Sequence, residues 1–153
     1  MNYNIYFSPT GGTKRVADIL VRNLNGEFCD VDICRDIEKM TLQAGDVCLV
    51  SVPSFAGRVP QIAIERIKKI VGNGAKAILN CVYGNREWDD TLTELQEHLK
   101  LAALSAWLQS PLLPNTPSSV SLPPGVLIVT MPKSWLNLPI KSQPNLKAVF
   151  MAR

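Results

Sequence analysis

The sequence predicts an α/β domain built on a doubly wound parallel sheet, and two observations carry that expectation. Residues 46–52 (D-V-C-L-V-S-V) and 75–82 (A-K-A-I-L-N-C-V) are continuous apolar runs, the pattern of strands covered on both faces. Segments of helical spacing alternate with strand-like ones, giving a β-α-β-β-α-β-α order over the first hundred residues.

Each element has its own signal. Residues 3–7 (Y-N-I-Y-F) form a first strand, and a hydroxyl- and glycine-rich turn follows at residues 8–13 (S-P-T-G-G-T). Val16, Leu20 and Leu24, with Ala17 beside them, then mark a helix to about Asn23. Residues 27–33 alternate, with Cys29, Val31 and Ile33 on one face and Asp30 and Asp32 on the other, as in a strand near a sheet edge. Pro60 opens a second helix at its favoured first position. The apolar side of that helix is Ala63, Ile64, Ile67 and Ile70, and Gly72 or Gly74 ends it. A last helix is expected from about Trp88 to Leu99, with Leu92, Leu95 and Leu99 facing inward.

Charge is low in amount but uneven in placement. All thirteen acidic residues precede position 101, whereas the remaining residues hold four basic residues, no acid and eight of the eleven prolines. Four scattered cations in a Pro/Leu/Ser-rich stretch make no patch for a nucleic acid. The chain opens on a polar strand and not on a leader peptide, and no apolar run reaches membrane-spanning length, so a cytoplasmic protein is expected. None of the four cysteines shows Cys-x-x-Cys spacing, which argues for reduced thiols and against a metal site. Cys48 and Cys81 fall in buried strands, Cys29 in a half-buried one and Cys34 just after it. His98, among Glu94, Glu97 and Lys100, reads as a solvated helix residue.

Ligands of doubly wound sheets bind beyond the carboxyl ends of the strands, where three loops meet. The first is Ser8, Pro9, Thr10, Gly11, Gly12 and Thr13, whose backbone amides and hydroxyls suit a phosphate without adding charge. It is not a Walker loop, because Thr13 precedes Lys14, and the Gly-x-Gly-x-x-Gly dinucleotide pattern is absent. A simple helix cap by Thr10 or Thr13 is the competing explanation. The second loop runs over residues 53–60 and holds Ser54, Phe55, Ala56 and Gly57; the third holds Tyr83, Gly84, Asn85 and Trp88. A phosphate cradle with two loops carrying Phe55 and Trp88 suits a flat, phosphorylated aromatic ligand.

With these loops the first hundred residues resemble the flavodoxins, particularly the short flavodoxin domains of anaerobic bacteria, some of them fused to two-cluster ferredoxins. The resemblance implies a 2-1-3-4-5 strand order and FMN as the cofactor. It assigns the phosphate to the S-x-T-G-x-T turn and flavin-ring contacts to Ser54, Phe55, Ala56 and Gly57. Gly84, Asn85 and Trp88 match a G-D-x-x-Y/W loop that stacks an aromatic on the ring, with Asn in place of the usual Asp. No catalytic residue and no metal is implied. An FMN-binding electron carrier follows, working with redox partner proteins such as ferredoxin-type iron–sulfur proteins. The alternatives are an FMN-dependent NAD(P)H oxidoreductase and a non-redox binding module on the same fold. Arg58 and Arg86 depart from the usual acidic or neutral surroundings of the flavin. A cation close to the ring would favour its reduced anion and raise the potential.

From Leu101 onward the alternation breaks. Prolines at 111, 114, 117, 123 and 124 stand where a fifth strand and closing helix belong, and only residues 125–131 (G-V-L-I-V-T-M) look like a strand. Read one base out of register, the codons for residues 101–142 allow a glycine turn, a buried strand, A-E-H-S and A-G-R-P-D segments, and an amphipathic helix. That order resembles the end of the same family and accounts for the missing acids. The expectation is a frameshift near Lys100, a core of residues 1–100, and an aberrant tail of residues 101–153 that is poorly ordered or packed non-natively. The fifth strand is then lost or replaced, with residues 125–131 the segment able to cover the exposed edge.

Overall fold

The computed structural model describes residues 1–22, 24, 26–83, 89–101, 105–106 and 128–132. In chain order its elements are β1 (Asn2–Tyr6), α1 (Gly12–Val21), β2 (Phe28–Asp32), β3 (Met40–Thr41), β4 (Val47–Pro53) and α2 (Gln61–Ile67). There follow β5 (Ile70–Val71), β6 (Lys76–Tyr83), α3 (Thr91–Leu101), β7 (Ser105–Ala106) and β8 (Ile128–Pro132). The main sheet has the order β2-β1-β4-β6, every pair is parallel, and both β7 and β8 lie against the far side of β6.

The two apolar runs are β4 and β6, and both are central, as double coverage requires. Alternate residues sort to the two faces. Ile5, Phe7, Cys48, Val50, Val52, Ala77, Leu79 and Cys81 pack on the side of α2 and α3, with Ala63, Ile64, Ile67, Leu92, Leu95 and Leu99. Leu49 and Val82 face α1, through Val16, Ala17 and Leu20. Each β-branched or leucine side chain so buried contributes roughly 1.5–3 kcal/mol relative to exposure.

Several expectations are corrected. The second helix ends at Ile67, not Ile70, and Pro60 is its N-cap and not its first residue. Ile70 and Val71 instead pair in parallel with Met40 and Thr41 in a small second sheet. Carrying these β-branched residues extended lets Leu42 N–H reach Val71 O at 2.9 Å and Met40 N–H reach Lys69 O at 3.0 Å. The long β2–β4 connection is thereby tied down without a helix of its own. The helix expected to reach Asn23 stops at Val21. Cys29 is exposed, because it sits at the start of an edge strand, beyond the cover that half-buries Val31. His98 is half-buried and its Nδ1 is enclosed without a partner among the described residues, so it is not a solvated residue.

The edge of β6 is covered by two pieces of tail. Lys76 and Ala77 pair with Ser105 and Ala106, and Leu79 to Tyr83 pair with Ile128 to Pro132. The replaced fifth strand is thus a discontinuous one, and its longer part falls within the strand-like residues 125–131 plus Pro132.

Candidate functional site

Parallel pairing aligns the carboxyl ends of β1, β4 and β6, so the loops that follow them share one edge of the sheet. Two of the three can be described. Tyr83 ends β6, half-buried, while Gly84, Asn85, Arg86 and Trp88 lie outside the described residues.

The first loop is built around Gly11. Its φ of +80° places it in the left-handed region that favours glycine. A Cβ there would meet nothing within 4 Å, so the glycine serves the backbone turn and not a close approach. Gly11 is also the N-cap of α1 and, having no side chain, makes no cap hydrogen bond of its own. Capping by Thr10 or Thr13 is therefore not what this turn does. The Ser8 hydroxyl instead accepts from Lys14 N–H at 2.9 Å, and Gly11 N–H closes the turn onto Ser8 O at 3.2 Å. The amides of Thr10, Gly12 and Thr13 have no acceptor among the described residues. They are the orphan donors of a helix start, at its positive dipole end.

Lys14, the cation beside this loop, is turned away from it. Its Nζ lies 2.8 and 2.9 Å from the two Asp18 carboxylate oxygens, 3.1 Å from Asp30, and 5.0 Å from the centroid of the Tyr6 ring. The hydrogen bond to Asp18 comes first among the causes that hold its pKa above the ordinary lysine range. With Lys14 so held, the donors the turn itself offers an anion are neutral.

The second loop is a tight hairpin. Phe55 and Arg58 exchange both backbone hydrogen bonds, at 2.9 and 3.1 Å, and the two residues between them have positive φ (Ala56 +51°, Gly57 +79°). That is the signature of a type I′ turn. It presents Phe55 with 53% of its surface exposed, at the same sheet edge as the first loop. Residues at the start of α3 hold the turn. Ser54 and Thr91 hydroxyls lie 2.8 Å apart, Val59 N–H donates to Glu94 Oε2 at 2.9 Å, and Arg58 lies 3.9 Å from Asp90. A Cβ on Gly57 would overlap the Asp89 carboxylate. Arg58 itself is exposed.

Sequence reasoning missed these α3 contributions, although their signal was present. Thr91 and Glu94 have the T-x-x-E spacing that signals a nearby helix start, and α3 begins at Thr91, with Glu94 N–H donating to Asp90 O at 2.9 Å. Here both side chains reach across to the second loop. Cys34, read only as a thiol after β2, receives Ser8 N–H on its sulfur at 2.8 Å. Burial pushes its pKa up. Among the described residues no cluster of histidine, cysteine and acidic side chains could hold a metal, and no helix is long and apolar enough to cross a membrane.

The sequence matches no family model and no curated protein. Solved structures do match. Oxidised flavodoxin 1 from Bacillus cereus superposes with a TM-score of 0.52 at 16% identity, over 86% of this chain and 84% of that one. The rubredoxin oxygen:oxidoreductase of the anaerobe Desulfovibrio gigas superposes at 0.55 and 13% identity, over 99% of this chain and 37% of that one. A flavodiiron core from Synechocystis gives 0.52 at 11% identity, over 86% and 30%. The chain therefore spans about a third of the length of the two larger proteins. At such identities the likeness is one of architecture: the chain has a flavodoxin-like fold.

Proposed function

We propose that this chain is an FMN-binding electron-transfer flavoprotein of the cytoplasm. The observation that carries the reading is the turn at residues 8–13. It offers open amides at Thr10, Gly12 and Thr13, while the neighbouring cation is held elsewhere by Asp18 and Asp30. These residues fit a phosphate monoester, and the exposed Phe55 on the same sheet edge fits the face or rim of a flat ring. Ser8, Pro9, Thr10, Gly11, Gly12 and Thr13 would hold the phosphate. Ser54, Phe55, Ala56 and Gly57 would border the ring, joined by Tyr83, Gly84, Asn85 and Trp88. Bound FMN supplies the redox chemistry, one electron at a time, and the chain supplies binding, orientation and electrostatics.

No side chain is asked to act as acid, base or nucleophile. The rigid hairpin keeps Phe55 in place through Ser54–Thr91 and Val59–Glu94, so little ordering remains to be done on binding. Arg58, in the same turn, is the described cation available to favour the reduced form, with Asp90 opposing it. Arg58→Ala then lowers the reduction midpoint, and an unchanged midpoint removes that role. Ferredoxin-type iron–sulfur proteins are the electron partners this reading favours.

Titration with FMN tests the reading. Binding quenches flavin fluorescence and retains bands near 375 and 450 nm (approximate values set by the flavin) through gel filtration, with riboflavin held more weakly. Failure to quench at a large excess of FMN overturns it. Rapid direct bleaching of the bound flavin by NAD(P)H would replace the carrier with a reductase.

A further inference from the structure

We propose that the Cys34 thiol is a positioning group for the phosphate loop, holding Ser8 so that the open amides stand ready before the phosphate arrives. The inference rests on the FMN reading above and deepens it.

The ladder between β1 and β2 continues one residue past the end of β2, since Ile33 N–H donates to Tyr6 O at 3.0 Å. In a parallel ladder the next rung would run from Ser8 N–H to Ile33 O. That rung is not made. Ile33 O is taken by Arg66 Nη1 at 2.6 Å, and Ser8 N–H donates instead to Cys34 Sγ at 2.8 Å. A side chain has replaced a backbone carbonyl at the point where the chain leaves the sheet for the loop. Cys34 is itself held, because its own N–H donates to Asp32 Oδ1 at 2.8 Å in a local turn. Burial, the largest cause, and the adjacent Asp32 both favour the protonated thiol, so the sulfur stays a neutral acceptor.

The consequence for the loop is a sorting of its donors. Ser8 N–H is consumed by the thiol, Pro9 has none to give, and Gly11 N–H closes the turn onto Ser8 O. The donors left for an anion are those of Thr10, Gly12 and Thr13 with the hydroxyls. The Ser8 hydroxyl is simultaneously fixed by Lys14 N–H. Ser8 is thereby clamped at both its amide and its side chain, and the amide clamp comes from a different element of the chain. Without the sulfur, a part-buried N–H would lose its acceptor and the turn would gain a way to rotate.

The experiment compares wild type, Cys34→Ala and Cys34→Ser by amide hydrogen exchange and by affinity for FMN and riboflavin. Expected in Cys34→Ala are exchange at the Ser8 amide about tenfold faster, core amides of β4 unchanged, and FMN binding about tenfold weaker, the size of one lost hydrogen bond. Riboflavin, which lacks the phosphate, binds as before, and Cys34→Ser restores most of both effects through its hydroxyl oxygen. Equal losses for FMN and riboflavin, or an unchanged Ser8 amide, overturn the positioning role. If wild type binds no FMN, the functional reading falls separately. Shifts of the Thr10, Gly12 and Thr13 amides with inorganic phosphate then decide: loss in Cys34→Ala and return in Cys34→Ser support the clamp, and unchanged shifts overturn it.

Discussion

Single residues set the shape of both described loops, and two glycines do so for different reasons. Gly11 needs only its left-handed backbone, so Gly11→Ala is expected to cost about 1–2 kcal/mol. Gly57 needs the same backbone and also the space beside Asp89. Gly57→Ala is therefore expected to cost about 2–4 kcal/mol, strain plus overpacking. Urea unfolding of the two variants checks the order, and equal midpoints would show that Asp89 simply moves aside. The buried thiols make a second case. Burial pushes Cys48 and Cys81 up to about 12, against an ordinary 9.0. A raised folded value means that their contribution is complete below pH 9.0 and is lost as pH climbs toward 12. The expected alkaline loss approaches about 1.4 kcal/mol per pH unit for each thiol, and Cys48→Ala should flatten it in thermal melts taken across that window. What the sequence could reveal at this scale was chemistry. S-P-T-G-G-T announces amides and hydroxyls by composition, whereas the Cys34–Ser8 contact joins residues far apart in the chain and has no local signal.

At the scale of elements, β4 and β6 were legible because central strands must be apolar on both sides, and α1 because its buried stripe repeats at helical spacing. The end of α2 was not. Ile70 is buried whether it continues the helix or enters β5, so periodicity alone could not separate the two, and the choice was made by a pairing partner thirty residues earlier. The start of α3 was written in Thr91 and Glu94, but its purpose lay across the fold. That purpose gives a prediction. Thr91 is fully buried, and Ser54 depends on its hydroxyl. Thr91→Val and Ser54→Ala should each destabilise by about 1–2 kcal/mol, and the double variant should fall short of their sum by about 1 kcal/mol. A strictly additive pair in chemical unfolding would mean that the hydroxyls do not hold the hairpin to the helix.

For the whole molecule, the doubly wound class followed from the alternation of elements and the strand order from the family resemblance, and the strand-like residues 125–131 marked the segment that covers most of the far edge of the sheet. Ile128 to Pro132 lie in register against Leu79 to Tyr83. The apolar edge of a central strand accepts almost any extended, apolar segment of sufficient length, because the ladder bonds are backbone bonds. Residues 128–131 (I-V-T-M) are such a segment, and Pro132, with no N–H, falls at the end of the pairing, where its missing donor costs least. The short β7 covers only Lys76 and Ala77, so β8 shields most of that edge. A chain ended at residue 127 therefore exposes Leu79–Tyr83. It is expected to lose roughly 2–5 kcal/mol, a few net ladder bonds with the packing they support, and to associate as its concentration rises in light scattering. If the expected frameshift near Lys100 is present in the coding sequence, restoring the alternative frame should give a chain more stable than the present one, because a continuous fifth strand would replace two paired fragments. A truncated chain that stays monomeric with an unchanged urea midpoint would show that β8 is no structural part of the sheet.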